Sequence, residues 1–381
     1  MANTITALAN TMFAAARKTP NELTGILGAC TRDFNDQGAS KGDTVKVSVV
    51  PTMTSSAFTA SQTFTAGANR TISTKSLALA NESQVSWHWT GEEERQLANG
   101  GVGSDVAMQT FQQAFRTMRN EIESYAWLKA RAAASRGVGT AGTAPFGSTI
   151  NILNSTKQLM LDNGVAEGDQ SLVINTAAGT NLRNLGHLYK ANEAGSAEML
   201  RQGIIGNLSG FNIRESAAVV SVTAGTGSTT YVTNTPAAAT LAVGTTTIGL
   251  DTGSGTILAG DVITFTGDTN KYVVTTGITA AGDIVIAEPG LRQTLADGVA
   301  SAVGAAASAN IAMHRSGLVT VVRPSLQPEG GGHENMVVTD PDSGLSYLVT
   351  RSVGHGLASW YTKCVYDCFA PNPYAINQLL G

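Results

Sequence analysis

From Asp43 the chain alternates with a period of two. Val45, Val47 and Val49 face one way, Lys46 and Ser48 the other, and Pro51 stops the run, which predicts a strand. A second β-rich stretch spans 70–89 and ends on VSWHWT. There Val85, Trp87 and Trp89 share one face, with Ser86 and His88 on the other. Between the two runs lie Thr-, Ser- and Ala-rich residues that are awkward as a loop inside a compact domain. They suit a hairpin arm that reaches a neighbour.

The period then lengthens. Thr90 and Glu93 have capping-box spacing, and Glu92 to Glu94 suit a helix N-terminus. Gly100 and Gly101 end that helix, and Ser104 caps the next. Met108, Phe111, Phe115, Met118, Ile122 and Tyr125 then recur at steps of three and four, while Arg116, Arg119, Asn120 and Glu123 fall elsewhere. This predicts a helix over 105–135, about 45 Å long at 1.5 Å per residue. A helix of that length serves as a spine or a coiled coil, and with one such segment alone a spine against a sheet is the preferred reading.

Upstream, Ile5, Leu8 and Met12 lie at helical spacing, and a short helix is predicted over Asn21–Ala29. Downstream, a helix over 148–163 ends at Gly164, SLVIN at 171–175 reads as a buried strand, and Leu182, Leu185 and Leu188 mark another helix. Near Val219 the composition turns Thr-, Gly- and Ala-rich, with short alternating runs such as TTTIGL, GDVITFTG and KYVVTT. That predicts a small β-barrel or sandwich over 219–308, inserted into the preceding unit. Apolar strands follow. In the last long one, Trp360, Thr362, Cys364, Tyr366 and Cys368 share a face.

Composition sharpens this picture. Only 14% of residues are charged, against about 25% in typical soluble domains. A subunit that buries surface against copies of itself tolerates that. The net charge is −4, and the acidic excess lies within 219–308. No basic stripe is present to grip nucleic acid. The three cysteines, Cys30, Cys364 and Cys368, form no disulfide framework and fit a reducing compartment. The N-terminal residues lack a secretory pattern, and no apolar run is long enough to span a membrane.

Candidate chemistry is thin. DTGSG at 251–255, with Asp251, resembles the catalytic loop of aspartic proteases, and Asp342 offers a second Asp-Ser-Gly. However, such catalysis needs two carboxylates sharing a proton, and Asp342 follows Pro341 with no hydrophobic strand before it. A polar turn is the plainer account of Asp251. His88, His187, His314, His333 and His355 are scattered, and zinc would require His333 or His355 to join Cys364 and Cys368. GTGS at 225–228 and GGGH at 330–333 lack the context of a phosphate loop. Glu92 to Glu94 complement a helix dipole better than they suggest a cation site, and Trp87 and Trp89 read as core packing. No catalytic, cofactor-binding or metal-binding residue is assigned, and no cofactor is expected. The chain reads as a structural subunit, with a secreted surface-layer or adhesin-like protein and an aspartic-type hydrolase as the alternatives.

Several stretches, taken in order, resemble the major capsid proteins of tailed bacteriophages, with the Hong Kong 97-like α+β fold. They are the opening MANTITALANTMFAAARKTPNELTGILGACTRD, VSWHWTGEEERQL, RQGIIGNLSGFNIRES, NIAMHRSGLVTVVRP, and the close from GLSYLVTR to DCFAPNPYAI. The nearest likeness is to the short-tailed phage coat subgroup with an inserted β-domain. The resemblance implies an N-terminal arm (1–42), an extended hairpin loop (43–89), a peripheral domain with the spine helix (90–148), an axial domain (149–218), the inserted β-domain (219–308) and a return to both domains (309–381). It implies hexamers and pentamers of an icosahedral shell, assembled in the host bacterial cytoplasm with a separate scaffolding protein. It further implies a portal protein and enclosed double-stranded DNA, bound without sequence specificity. No membrane partner is expected, and Lys75 is not expected to form a covalent crosslink.

Overall fold

The computed structural model describes residues 15, 25–33, 37–49, 55, 57, 73–99, 103–189, 205–227, 231–235, 240–326, 333–340 and 343–381. The helix predicted on Ile5, Leu8 and Met12, most of the 50–72 loop, Gly100, Gly101, Asp342 and the glycines of 330–332 lie outside the described residues.

The spine helix runs Gly103–Ala133, 31 residues, starting and ending two residues earlier than its pattern suggests. Phe111, Phe115, Met118 and Ile122 are buried, and Met108 and Tyr125 are partly so. They meet the aromatic face of a sheet. Phe111 stands edge-on to both Trp87 (5.1 Å) and Trp360 (5.4 Å), and Phe115 lies 5.3 Å from Tyr347. Past Tyr125 the buried face moves to Ala126, Trp127, Ala130 and Ala134, which join a second core with Val173, Ile311, Met313 and Ile376. One helix thus braces two cores. Trp127 fixes the second contact, its Nε1 donating to the Ala309 carbonyl at 2.9 Å. Trp127→Ala should cost about 3–5 kcal/mol, measured as a loss of unfolding free energy in urea.

The first sheet is built around the strand Leu357–Phe369. One edge pairs with Asn81–Thr90, from Leu357↔Thr90 to Tyr366↔Asn81. The other pairs with Ser346–Val353 and Val319–Arg323, and these lead outward to His333–Thr339 and to Thr31–Asp33. Alternation decides which side is buried. Trp360, Thr362, Cys364, Tyr366 and Cys368 all lie inside, as their spacing predicts. The Asn81–Thr90 strand repeats the rule, with Val85 and Trp87 packed inward and Ser86 and His88 exposed.

The second sheet centres on Gln170–Ile174, buried along its length. It pairs antiparallel with Ala307–His314 and parallel with Phe211–Glu215. Ile376–Leu380 and Arg136–Gly139 extend it. The helices Asn151–Asp162 and Thr176–Asn184 add Leu153, Met160, Ala178 and Leu182 to its core. Asn175 caps the second helix by accepting from the Ala178 amide at 2.8 Å.

The described residues of 221–308 form a small closed barrel. Its neck pairs Ser221–Val222 with Ala307 and Ser308. Strands follow in the order Val232–Thr233, Thr247–Asp251, Gly282–Ile286, Tyr272–Thr276, Val262–Phe265 and Ser301–Val303. The ring closes where the Ser301 amide donates to the Tyr231 carbonyl at 2.9 Å. The sequence left barrel and sandwich open; closure selects the barrel and removes edge strands. Tyr231, Ile248, Phe265, Tyr272 and Ile284 fill it. The barrel also joins the second sheet through Tyr272↔Arg136. Its two bases face that junction: Lys271 Nζ donates to the Gly139 carbonyl, and Arg292 to the Asp162 carbonyl at 3.1 Å.

Candidate assembly surface

Three features here are unusual for a lone globule. The first is the two-stranded ribbon Thr44–Val49 and Ser73–Ala78, registered from Thr44↔Ala78 to Val49↔Ser73. Isolated two-stranded ribbons are marginal in water. This one is held at its root, where Leu77 and Leu79 pack with Ala39, Val321 and Val365. Lys75 Nζ donates to the Pro371 carbonyl at 2.9 Å. Beyond Leu77, residues 74–76 are exposed.

The second feature is an apolar tip and an open edge. The turn at 354–356 is flanked by Val353, 61% exposed, and Leu357, 39% exposed. It sits beside the helix Gly91–Asn99, whose Gly91 amide donates to the Gly356 carbonyl at 3.2 Å. The outer edge of Asn81–Thr90 pairs with no strand among the described residues. A ten-residue unpaired edge is an aggregation hazard unless something covers it. The capping box that starts the helix is complete: the Thr90 amide donates to Glu93 Oε2 at 2.9 Å and the Glu93 amide to Thr90 Oγ1 at 3.3 Å. Those bonds hold the Glu93 carboxyl below its ordinary range. Thr90→Ala should cost about 1 kcal/mol, read as a lowered melting temperature.

The third feature is the anchoring of the arm. The buried Glu123 carboxylate accepts from the Ile26 amide (2.8 Å), the Leu27 amide (2.9 Å) and Ser216 Oγ (2.7 Å). One side chain ties the arm helix Ile26–Ala29 and the exit strand toward the barrel to the spine. Burial pushes its pKa up against those hydrogen bonds. One turn earlier, Arg119 pairs in the interior with Asp340. Sequence reading placed both residues off the apolar stripe. The missed signal is that positions 119, 123, 126 and 130 form a second stripe at steps of four, three and four, continued by alanines.

The other candidates do not converge. Asp251 ends a strand and accepts from Thr252 Oγ1 at 2.7 Å. His88, His333 and His355 are exposed, and His314 Nδ1 accepts from the Ser316 amide at 3.2 Å. The His187 side chain lies outside the described residues. No group of three or more His, Cys, Asp or Glu among the described residues is arranged to hold a metal. No described helix is long and apolar enough to cross a membrane. Cys30 and Cys368, far apart in sequence, both touch Thr320 Oγ1, at 3.3 and 3.4 Å. Burial pushes the Cys30 thiol up to about 11 and raises Cys364 and Cys368 as well. Thiols so shifted stay protonated at neutral pH and make poor nucleophiles.

No protein-family model and no curated protein matches the sequence. Solved structures do. A chain of Mycobacterium phage Che8 superposes with a TM-score of 0.50 at 13% identity, over 94% of this chain and 92% of that one. A chain from the capsid structure of the cyanophage P-SCSP1u gives a TM-score of 0.50 at 11% identity, over 95% and 89%. The chain has a phage capsid fold. It is the Hong Kong 97-like arrangement in general, and the likeness does not single out the short-tailed subgroup.

Proposed function

We propose that the protein is a major capsid protein that self-assembles into an icosahedral shell. The observation that carries this reading is the near-complete coverage of both chains in the likeness to the cyanophage capsid. Fold alone does not fix function. The open edge and the supported ribbon add a physical reason, because both need a neighbour. In this reading 1–42 is the arm, 43–89 the extended loop laid across the next subunit, and 90–148 the peripheral domain. Residues 149–218 are the axial domain at the capsomer centre, 219–308 the inserted domain, and 309–381 the return to both. Hexamers and pentamers build the shell around a separate scaffolding protein in the bacterial cytoplasm. The finished virion holds double-stranded DNA, packaged through a portal without sequence-specific contacts. The coat of a short-tailed phage with an inserted β-domain remains the finer form of this proposal.

The test is expression of the full chain, alone and with its candidate scaffold, followed by negative-stain microscopy. Closed particles are expected. Replacing 45–76 by a short Gly-Ser linker should leave a folded subunit, by circular dichroism, that no longer closes shells. A chain that stays monomeric under every assembly condition overturns the proposal.

A further inference from the structure

Several arginines of this chain are spent internally. Arg119, Arg131, Arg183, Arg323 and Arg351 each face a carboxylate of the same chain. Two that do not, Arg214 and Arg315, line one polar cleft of about 510 Å³ together with Arg32. Four segments wall it: the arm at 28–32, the start of the Gln170–Ile174 strand with Gly168 and Asp169 before it, the hairpin at 207–214, and Arg315. Arg214 Nε is buried with no hydrogen-bond partner among the described residues. The Arg214 guanidinium lies across Gly28, where an added Cβ would stand 2.5 Å from Nη1. Glycine at that position therefore lets the arm helix form the floor beneath the guanidinium. Arg32 is held at the side by the Ser343 carbonyl. Arg315 is exposed, and its backbone amide is fixed by the Asp169 carbonyl at 3.2 Å.

We infer that this cleft is a socket for carboxylates of a second copy of the chain, supplied by the exposed Glu92–Glu94 segment. The inference rests on the shell reading, because it needs a neighbour. Guanidinium groups pair with carboxylates bidentately and strongly. The 92–94 run is the chain's only stretch of three adjacent acids. All three are exposed. Glu93 is occupied by the capping box, which leaves Glu92 and Glu94 projecting from a fixed first turn. Asp169 shares the cleft with the arginines, so its net charge is modest. That favours one or two carboxylates over the dense charge of a nucleic-acid backbone. Socket and plug are built from different residues, so the contact is head-to-tail, the type that generates rings where the rotation closes.

The test uses the full-length chain and a fluorescent peptide of residues 88–97, read by anisotropy, with inorganic phosphate and a short single-stranded DNA as competing probes. The peptide should bind the parent. Arg315→Glu, at an exposed position that leaves the fold intact, should weaken it about tenfold, as should Arg214→Gln. A peptide carrying Glu92→Arg and Glu94→Arg should lose the parent and regain affinity for the Arg315→Glu chain. Absence of peptide binding, affinity unchanged by Arg315→Glu, or a cleft that takes DNA or phosphate but not the peptide would each overturn the inference. Particle formation is scored separately. A parent that binds the peptide through these arginines yet never assembles sinks the shell reading alone. Particles that form from a parent unable to bind the peptide sink the socket alone.

Discussion

Glu123→Ala should lower the stability of the folded subunit by about 3–5 kcal/mol. The substitution strands the Ile26 and Leu27 amides and the Ser216 hydroxyl, all of them buried. Each unsatisfied buried donor costs roughly 1–3 kcal/mol. Relief from burying a carboxylate offsets part of the total. Since whole domains are stable by about 5–15 kcal/mol, the loss is a large share. The damage should be local first. Hydrogen exchange at the Ile26 and Leu27 amides should quicken before the spine helix opens. Glu123→Gln keeps one acceptor oxygen and should fall between parent and Ala. Urea unfolding of the three proteins checks the order, and equal stability of parent and Ala would show that the arm is held by its apolar contacts alone.

The same residue gives the subunit a pH dependence whose sign can be worked out. Burial raises the folded-state pKa of Glu123 above its ordinary value of 4.5. Below that value both states hold the proton, and the group adds no slope. Above it the unfolded chain releases the proton while the folded chain retains it, so unfolding is favoured as pH rises. Above the folded pKa the contribution is constant. Urea midpoints of the parent should therefore fall across that window more steeply than those of Glu123→Gln. Parallel curves would mean that the hydrogen bonds cancel the burial.

Much of this fold is legible in the sequence, for a physical reason that differs from element to element. The spine helix is plain because its stripe from Met108 to Tyr125 faces one uniform partner, the Trp87, Tyr347 and Trp360 face of the sheet. The strand at 357–369 is plain because one side is buried along 358–364 and period two follows there, whereas beyond it Val365 and Asp367 are buried on the other face too. Barrel closure is not legible, because it depends on which of two edges Tyr231 and Ser301 bring together across the insertion. The role of Glu123 is hidden for the opposite reason. A glutamate inside a helix normally marks the solvent side, and only the backbone amides of a distant segment make its burial tolerable. The arginine cleft is hidden likewise, since Arg32, Arg214 and Arg315 converge only once three separate segments are folded.

Arg119→Ala should cost about 3–5 kcal/mol, because it takes the guanidinium away from the buried Asp340 carboxylate. The pair is almost wholly inside, with the two side chains 5% and 2% exposed. Asp340 also accepts from Ser343 Oγ. Its backbone shapes the turn between two strands, its amide donating to the Leu345 carbonyl and its carbonyl accepting from the Gly344 amide, both at 2.8 Å. Replacing both partners by apolar residues, Arg119→Leu with Asp340→Ala, removes both desolvation penalties and should recover most of the loss. What it should not recover is register. The strands His333–Thr339 and Ser346–Val353 pair from His333↔Ser352 to Thr339↔Ser346. A one-residue slip would turn Val338 and Tyr347 outward. The ion pair pins the turn of that hairpin to the spine, so the doubly apolar protein should be stable to urea yet exchange its 333–353 amides faster. A double-mutant cycle with a coupling near zero would mean that Arg119 and Asp340 stabilise the fold independently. Unchanged exchange in the doubly apolar chain would assign the register to the apolar pattern alone.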